Sequence, residues 1–125
     1  MLALARAWRF ESSPGHHPAR STSKLLTHVR IWLFQPAPGR ESNFAAAYSG
    51  HGVWAKLFAR AGGFVGTRLL APEETGGPWL TLDEWESRAA FDRFQEEHGE
   101  TYRTLDEKLA GLTADERFIG AFDDA

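Results

Sequence analysis

His28 to Gln35 constrains the fold of this chain more than any other stretch. Val29, Ile31 and Leu33 alternate with Arg30, Trp32 and Phe34, and the run stops at Pro36-Ala37-Pro38-Gly39. A period of two marks a β-strand. Because both of its sides are largely non-polar, neither can be left in water: one belongs under helices and the other against a further surface such as a second sheet. The aliphatic set Val29, Ile31 and Leu33 is expected beneath the helices, which turns Arg30, Trp32 and Phe34 toward a partner.

Arg40 to Tyr48 is Ala-rich and favours helix until Ser49-Gly50-His51-Gly52 interrupts it. Val53, Trp54, Leu57, Phe58 and Ala61 then recur at helical spacing, and Gly62-Gly63 ends that second helix. Phe64 to Leu70 and Trp79 to Trp85 read as strands joined by the Pro- and Gly-containing loop Ala71 to Gly77. Ser87 is the expected N-cap of a helix with Ala90, Phe91, Phe94 and His98 on one face; Gly99 weakens it before a further helical stretch carrying Tyr102, Leu105, Leu109 and Leu112. A turn at Thr113 to Glu116 and a last strand at Arg117 to Phe122 complete the order β-α-β-β-α-β. That is an α+β, ferredoxin-like arrangement with a four-stranded antiparallel sheet.

Residues 28–125 make one domain, since 125 residues leave no room for two. Residues 1–27 carry Arg6, Arg9, Arg20 and Lys24 against Glu11, a net +3, so an overall charge of -3 leaves the domain at -6. So acidic a body is a poor ligand for nucleic acid, which demands clustered Lys and Arg. The first 27 residues have no apolar period and are expected to be a disordered extension. Arg9-Phe10-Glu11-Ser12-Ser13-Pro14-Gly15 is what the T-loop of a transfer-RNA gene would encode in this frame, so the natural start is expected near Leu25 to Val29. The absence of cysteine excludes disulfides, thiolate metal sites and Cys nucleophiles, and suits a cytoplasmic protein. No apolar run approaches the ~20 residues of a membrane span, and no metal-ligand or nucleotide-loop spacing is present. Nine Phe, five Trp and two Tyr fit either dense packing or a cavity lined by rings.

Three features, Pro38-Gly39-Arg40-Glu41, Gly62-Gly63-Phe64-Val65-Gly66-Thr67, and Leu80-Thr81-Leu82-Asp83-Glu84-Trp85-Glu86-Ser87 leading into Ala89-Ala90-Phe91, resemble the antibiotic-biosynthesis-monooxygenase group of the dimeric α+β barrel superfamily. The resemblance spans about residues 28 to 123 and implies a homodimer packed sheet to sheet. It also implies oxidation of a quinol- or anthrol-like aromatic small molecule by molecular oxygen, with no metal, flavin or other bound cofactor. A non-catalytic dimer that binds an apolar metabolite is the alternative. A haem-binding or haem-degrading relative is a third: there an axial His follows the strand-three Trp by about ten positions, where this chain has Phe94, Gln95 and Glu96, with His98 further on.

Cofactor-free oxygenation requires a proton acceptor, donors that hold the resulting anion, and a dry aromatic pocket. His51 and His98 are the candidate acceptors, Arg30 and Arg68 the candidate anion holders, and Trp54, Trp79 and Trp85 the candidate walls. Each also has a plainer role. Trp85 can anchor helix to sheet, Trp54 can be core, His51 can be a solvent-exposed loop residue, and His98 can be a hydrogen-bonded His near a helix end. Asp83, Glu84 and Glu86 suggest a carboxylate pair, but strand alternation separates Asp83 from Glu84.

Overall fold

The computed structural model describes residues 27–125; the expected extension and the proposed start site lie outside the described residues except for Thr27 to Val29. Strand β1 (His28–Pro36) leads to helices α1 (Glu41–Tyr48) and α2 (Val53–Phe58), strands β2 (Phe64–Leu70) and β3 (Trp79–Trp85), the long helix α3 (Arg88–Lys108), a single 3₁₀ turn (Ala110–Leu112) and strand β4 (Thr113–Asp123). The four strands form one antiparallel sheet in the order β2-β3-β1-β4. The fold is the ferredoxin-like α+β arrangement that the order of elements predicts.

The faces of β1 are the reverse of the expectation. Arg30, Trp32 and Phe34 are buried, together with His28, while Val29, Ile31 and Leu33 are only half-buried. Phe34 packs on Phe44 and Tyr48 of α1 at ring-centroid distances of 5.5 and 4.8 Å. The large rings therefore lie beneath the helices and the aliphatic residues line the open side. The physical reason is area: a Trp or Phe removes more apolar surface from water than a Val, so the side that is fully covered within one chain takes the rings. Trp32, read as a partner-facing residue, is core, 6.1 Å from Phe34 and 5.0 Å from Phe118.

Opposed residues in a ladder share a face. Trp79, Thr81, Asp83 and Trp85 of β3 oppose Phe34, Trp32, Arg30 and His28, so they join the covered face; Leu80, Leu82 and Glu84 oppose Leu33, Ile31 and Val29 on the open one. Helix α3 begins where Ser87 Oγ accepts a hydrogen bond from the Ala90 N–H at 3.0 Å, the N-cap read from sequence. A kink at His98 (φ -125, ψ 18), just before Gly99, divides it into two helical stretches. Gly63 must be glycine: its φ is +95 and an added Cβ would stand 2.5 Å from that of Ala90 of α3.

The start of β4 also differs from expectation. Thr113 to Glu116 is strand, because Thr113, Asp115 and Glu116 pair with Pro36, Gln35 and Phe34. The reversal of direction is made earlier, by the 3₁₀ turn, where Leu112 C=O accepts from Ala37 N–H at 2.8 Å.

Candidate functional site

At one end of the covered face the aromatic core is interrupted by polar side chains. His28, Arg30 and Thr81 are 1%, 7% and 4% exposed. A guanidinium taken out of water is costly unless other groups compensate. Here Asp83 is the direct cross-strand neighbour of Arg30, and its Oδ1 accepts from Thr67 Oγ1 at 2.7 Å. The Arg30 guanidinium carbon lies 3.8 Å from the Phe91 ring centroid and 4.9 Å from that of Phe118. A desolvated cation over a ring gains about 2 kcal/mol, which offsets part of that cost.

His28 sits between Arg30 and the end of the chain. Its Nδ1 is 2.9 Å from Asp123 Oδ1 and its Nε2 is 3.4 Å from Arg30 Nη1. Burial, its main influence, drives the imidazole pKa below the usual 6.5, opposed in part by the hydrogen bond to Asp123 and reinforced by the charge of Arg30.

Trp85 is fully buried, and its ring lies 5.5 Å from Phe91 and 5.4 Å from Phe94. Its indole N–H has no hydrogen-bond partner among the described residues. Of the residues singled out from sequence, the fold connects Arg30, Trp85 and His98: Phe91 touches Arg30 and Trp85, and Phe94 carries the His98 ring stacked on it at 5.5 Å. His98 is partly exposed, its side chain 21% accessible.

Trp54, 2% exposed, joins the same ring cluster through Phe58, whose ring is 6.1 Å from that of Trp54 and 5.7 Å from that of Trp85. The other candidates lie elsewhere. Trp79 is half-buried at the far end of β3, 5.5 Å from Phe44. Arg68 is exposed and opposes Leu82, so it stands on the open face, away from Arg30. His51 is exposed in the turn between α1 and α2, and among the described residues no hydrogen bond or ring contact joins its side chain to the polar cluster. His28, Thr67 and Thr81 were not singled out, and Asp83 was weighed only as part of a carboxylate pair. The signal for them was alternation itself: His28-x-Arg30 and Thr81-x-Asp83 continue the same sides of their strands as Trp32, Phe34, Trp79 and Trp85.

Among the described residues no helix is long and apolar enough to cross a membrane, and no group of three or more His, Asp or Glu is placed to hold a metal ion. The family model described as antibiotic biosynthesis monooxygenase matches residues 27–108. Among solved structures, a variant of SnoaB, a cofactor-independent oxygenase from Streptomyces nogalater, is 26% identical over 80% of this chain and 92% of its own, with a TM-score of 0.51. A protein from Bordetella bronchiseptica, provisionally assigned to the same family, is 20% identical over 79% of this chain and 95% of its own, TM-score 0.54. One from Pseudomonas aeruginosa is 13% identical over 82% and 95%, TM-score 0.55. At those identities the last two bear on the fold alone. A search of curated proteins found no significant match.

Proposed function

Since the chain belongs to the antibiotic biosynthesis monooxygenase family, we propose that it oxidises an aromatic, quinol-like small molecule with molecular oxygen and without a bound cofactor. The observation that carries this reading is the buried guanidinium of Arg30, placed against Phe91 on the same covered face as Trp85. A merely apolar binding module has no use for a buried cation there, which favours catalysis over simple sequestration of a metabolite. The likeness to SnoaB adds the oxygenase chemistry.

In this reading the substrate gives up a phenolic proton and becomes an electron-rich aryloxide. Arg30 stabilises that charge in a site of low dielectric, where a fixed donor acts most strongly. The aryloxide passes electrons to dioxygen; one oxygen atom forms a new carbonyl on the substrate ring, and the other leaves as water with two substrate hydrogens. Asp83, opposite Arg30, and His98, on the Phe94 side, are the two groups suited to take the first proton. Trp85 supplies an aromatic wall and an indole donor, while Trp54 and Trp79 support the wall from the core. A homodimer closed through the open sheet face and a cytoplasmic location complete the proposal.

Oxygen uptake with a panel of hydroquinones and anthrones is the test. The purified chain should consume oxygen, and Arg30→Met should lower turnover by about 10²- to 10³-fold, the usual effect of losing an anion-stabilising donor. Tight binding of the same compounds with no oxygen uptake would establish the sequestering alternative instead. Between the two acceptors, Asp83→Asn and His98→Gln separate the roles: the variant that abolishes the rise of rate with pH marks the base.

A further inference from the structure

The contacts of His28 fix its protonation state without reference to any reaction. A carboxylate can only accept a hydrogen bond, so Nδ1, 2.9 Å from Asp123 Oδ1, carries a hydrogen. A guanidinium can only donate, so Nε2, 3.4 Å from Arg30 Nη1, presents a lone pair. Both conditions are met by one species, the neutral imidazole with its proton on Nδ1. The ring itself is 1% exposed and 6.3 Å from that of Phe91, so it does not swing out into solvent to choose otherwise.

We propose that His28 is a positioning residue: oriented by Asp123 of β4, it sets the Arg30 guanidinium against Phe91 in the geometry that receives the substrate anion. The proposal rests on the aryloxide reading for its functional consequence, but not for its structural core. The charged and titratable groups around the imidazole are Arg30 on its own strand, Asp123 on β4, Arg88 on α3, and Asp83 diagonally across on β3. Protonation of His28 would turn Nε2 into a second donor facing the Arg30 N–H, and the guanidinium would be pushed from its seat. Arg30 and Arg88 both oppose that protonation, as does burial, so the arrangement holds at neutral pH and fails only in acid. Asp123 is the adjustable member, with a side chain 45% exposed in the last turn of chain before the C-terminus. Its neighbour Asp124 is tied to Thr27, donating its own N–H to Thr27 C=O and accepting from Thr27 N–H. The end of β4 is thus fastened beside the start of β1, where Asp123 has to be.

Long-range ¹⁵N–¹H NMR of the full chain reads the tautomer directly. At neutral pH the His28 signals should be those of a protonated Nδ1 and an unprotonated Nε2, the reverse of the preference of a free histidine side chain. Asp123→Asn retains an oxygen acceptor and should preserve that pattern, together with a slowly exchanging Arg30 guanidinium signal. Asp123→Ala should shift the proton to Nε2 and average the Arg30 signal. A His28 that is an imidazolium or the Nε2–H form in the unmodified chain would overturn the proposal, as would an ordered Arg30 signal in Asp123→Ala. Binding of 4-nitrophenolate, followed by its visible absorbance, should weaken about tenfold in Asp123→Ala and recover in Asp123→Asn, a change of ~1.4 kcal/mol. Failure of the unmodified chain to bind the phenolate would count against the aryloxide reading alone, since the tautomer and the Arg30 signal judge the positioning role independently.

Discussion

The two faces of the sheet are built from the same strands and have opposite characters. The covered face carries the largest rings together with the buried polar run His28, Arg30, Thr81. The open face carries Val29, Ile31, Leu33, Leu80 and Leu82, all half-buried, with Leu70 and Phe122 exposed at 36% and 49%. Apolar surface of that extent on one side of a sheet marks an interaction surface. The covered face is packed within one chain, whereas the open face leaves its aliphatic residues only half-buried, with Glu84 and Arg68 among them. In the proposed reading, reactivity lies on the covered side and assembly on the other.

The largest expected effect falls on the covered face. Phe34→Ala or Trp85→Ala should cost about 3–5 kcal/mol in urea unfolding, because each leaves a cavity among rings that cannot collapse. A loss below about 1 kcal/mol at either site would mean that these rings are not the packed core. On the open face, Ile31→Lys should leave the monomer folded and weaken a dimer on the order of 100-fold, the effect of a charge at the centre of a desolvated patch. Light scattering that gave the same mass for both proteins across a wide concentration range would remove the assembly role of this face.

A smaller effect concerns pH. The folded chain holds the His28 imidazole below its usual pKa of 6.5, chiefly by burial, so just under that pH the unfolded chain binds more protons. Stability should therefore be full above 6.5 and fall as the pH descends from there through the folded-state value. His28→Gln should flatten this acid-side slope in urea midpoints, and an unchanged slope would show that other groups govern it. The smallest effect is at His51, exposed and unconnected to the polar cluster: His51→Ala should alter stability by no more than about 0.5 kcal/mol and leave oxygen uptake as it was.

The order of elements was legible in the sequence because each carries its own local signal: the alternation of β1, Ser87 at the start of α3, Gly63 where chains approach. Which side of β1 lies under helices was not legible from β1 alone, since both sets are apolar. The decision is made by partners distant in sequence, Phe44, Tyr48, Phe91 and Phe118, whose rings fit beside Phe34, Arg30 and Trp32. The same long-range register assembled the candidate site. Arg30 and Trp85 could be named individually, but the placement of Asp83 opposite Arg30, and of Asp123 beside His28, depends on pairing between strands separated by 50 residues or more. His51 sits in an exposed turn and Arg68 on the open face, away from Arg30, a placement that residue type cannot reveal.

In the proposed function the buried guanidinium of Arg30 holds an aromatic oxyanion. Spectrophotometric titration of 4-nitrophenol in the presence of the protein measures this without any turnover. Bound to the unmodified chain, the phenol should ionise at lower pH than in buffer, a displacement that Arg30→Met abolishes and Arg68→Met leaves in place. An equal displacement in Arg30→Met, or none in the unmodified chain, would rule out Arg30 as the anion holder.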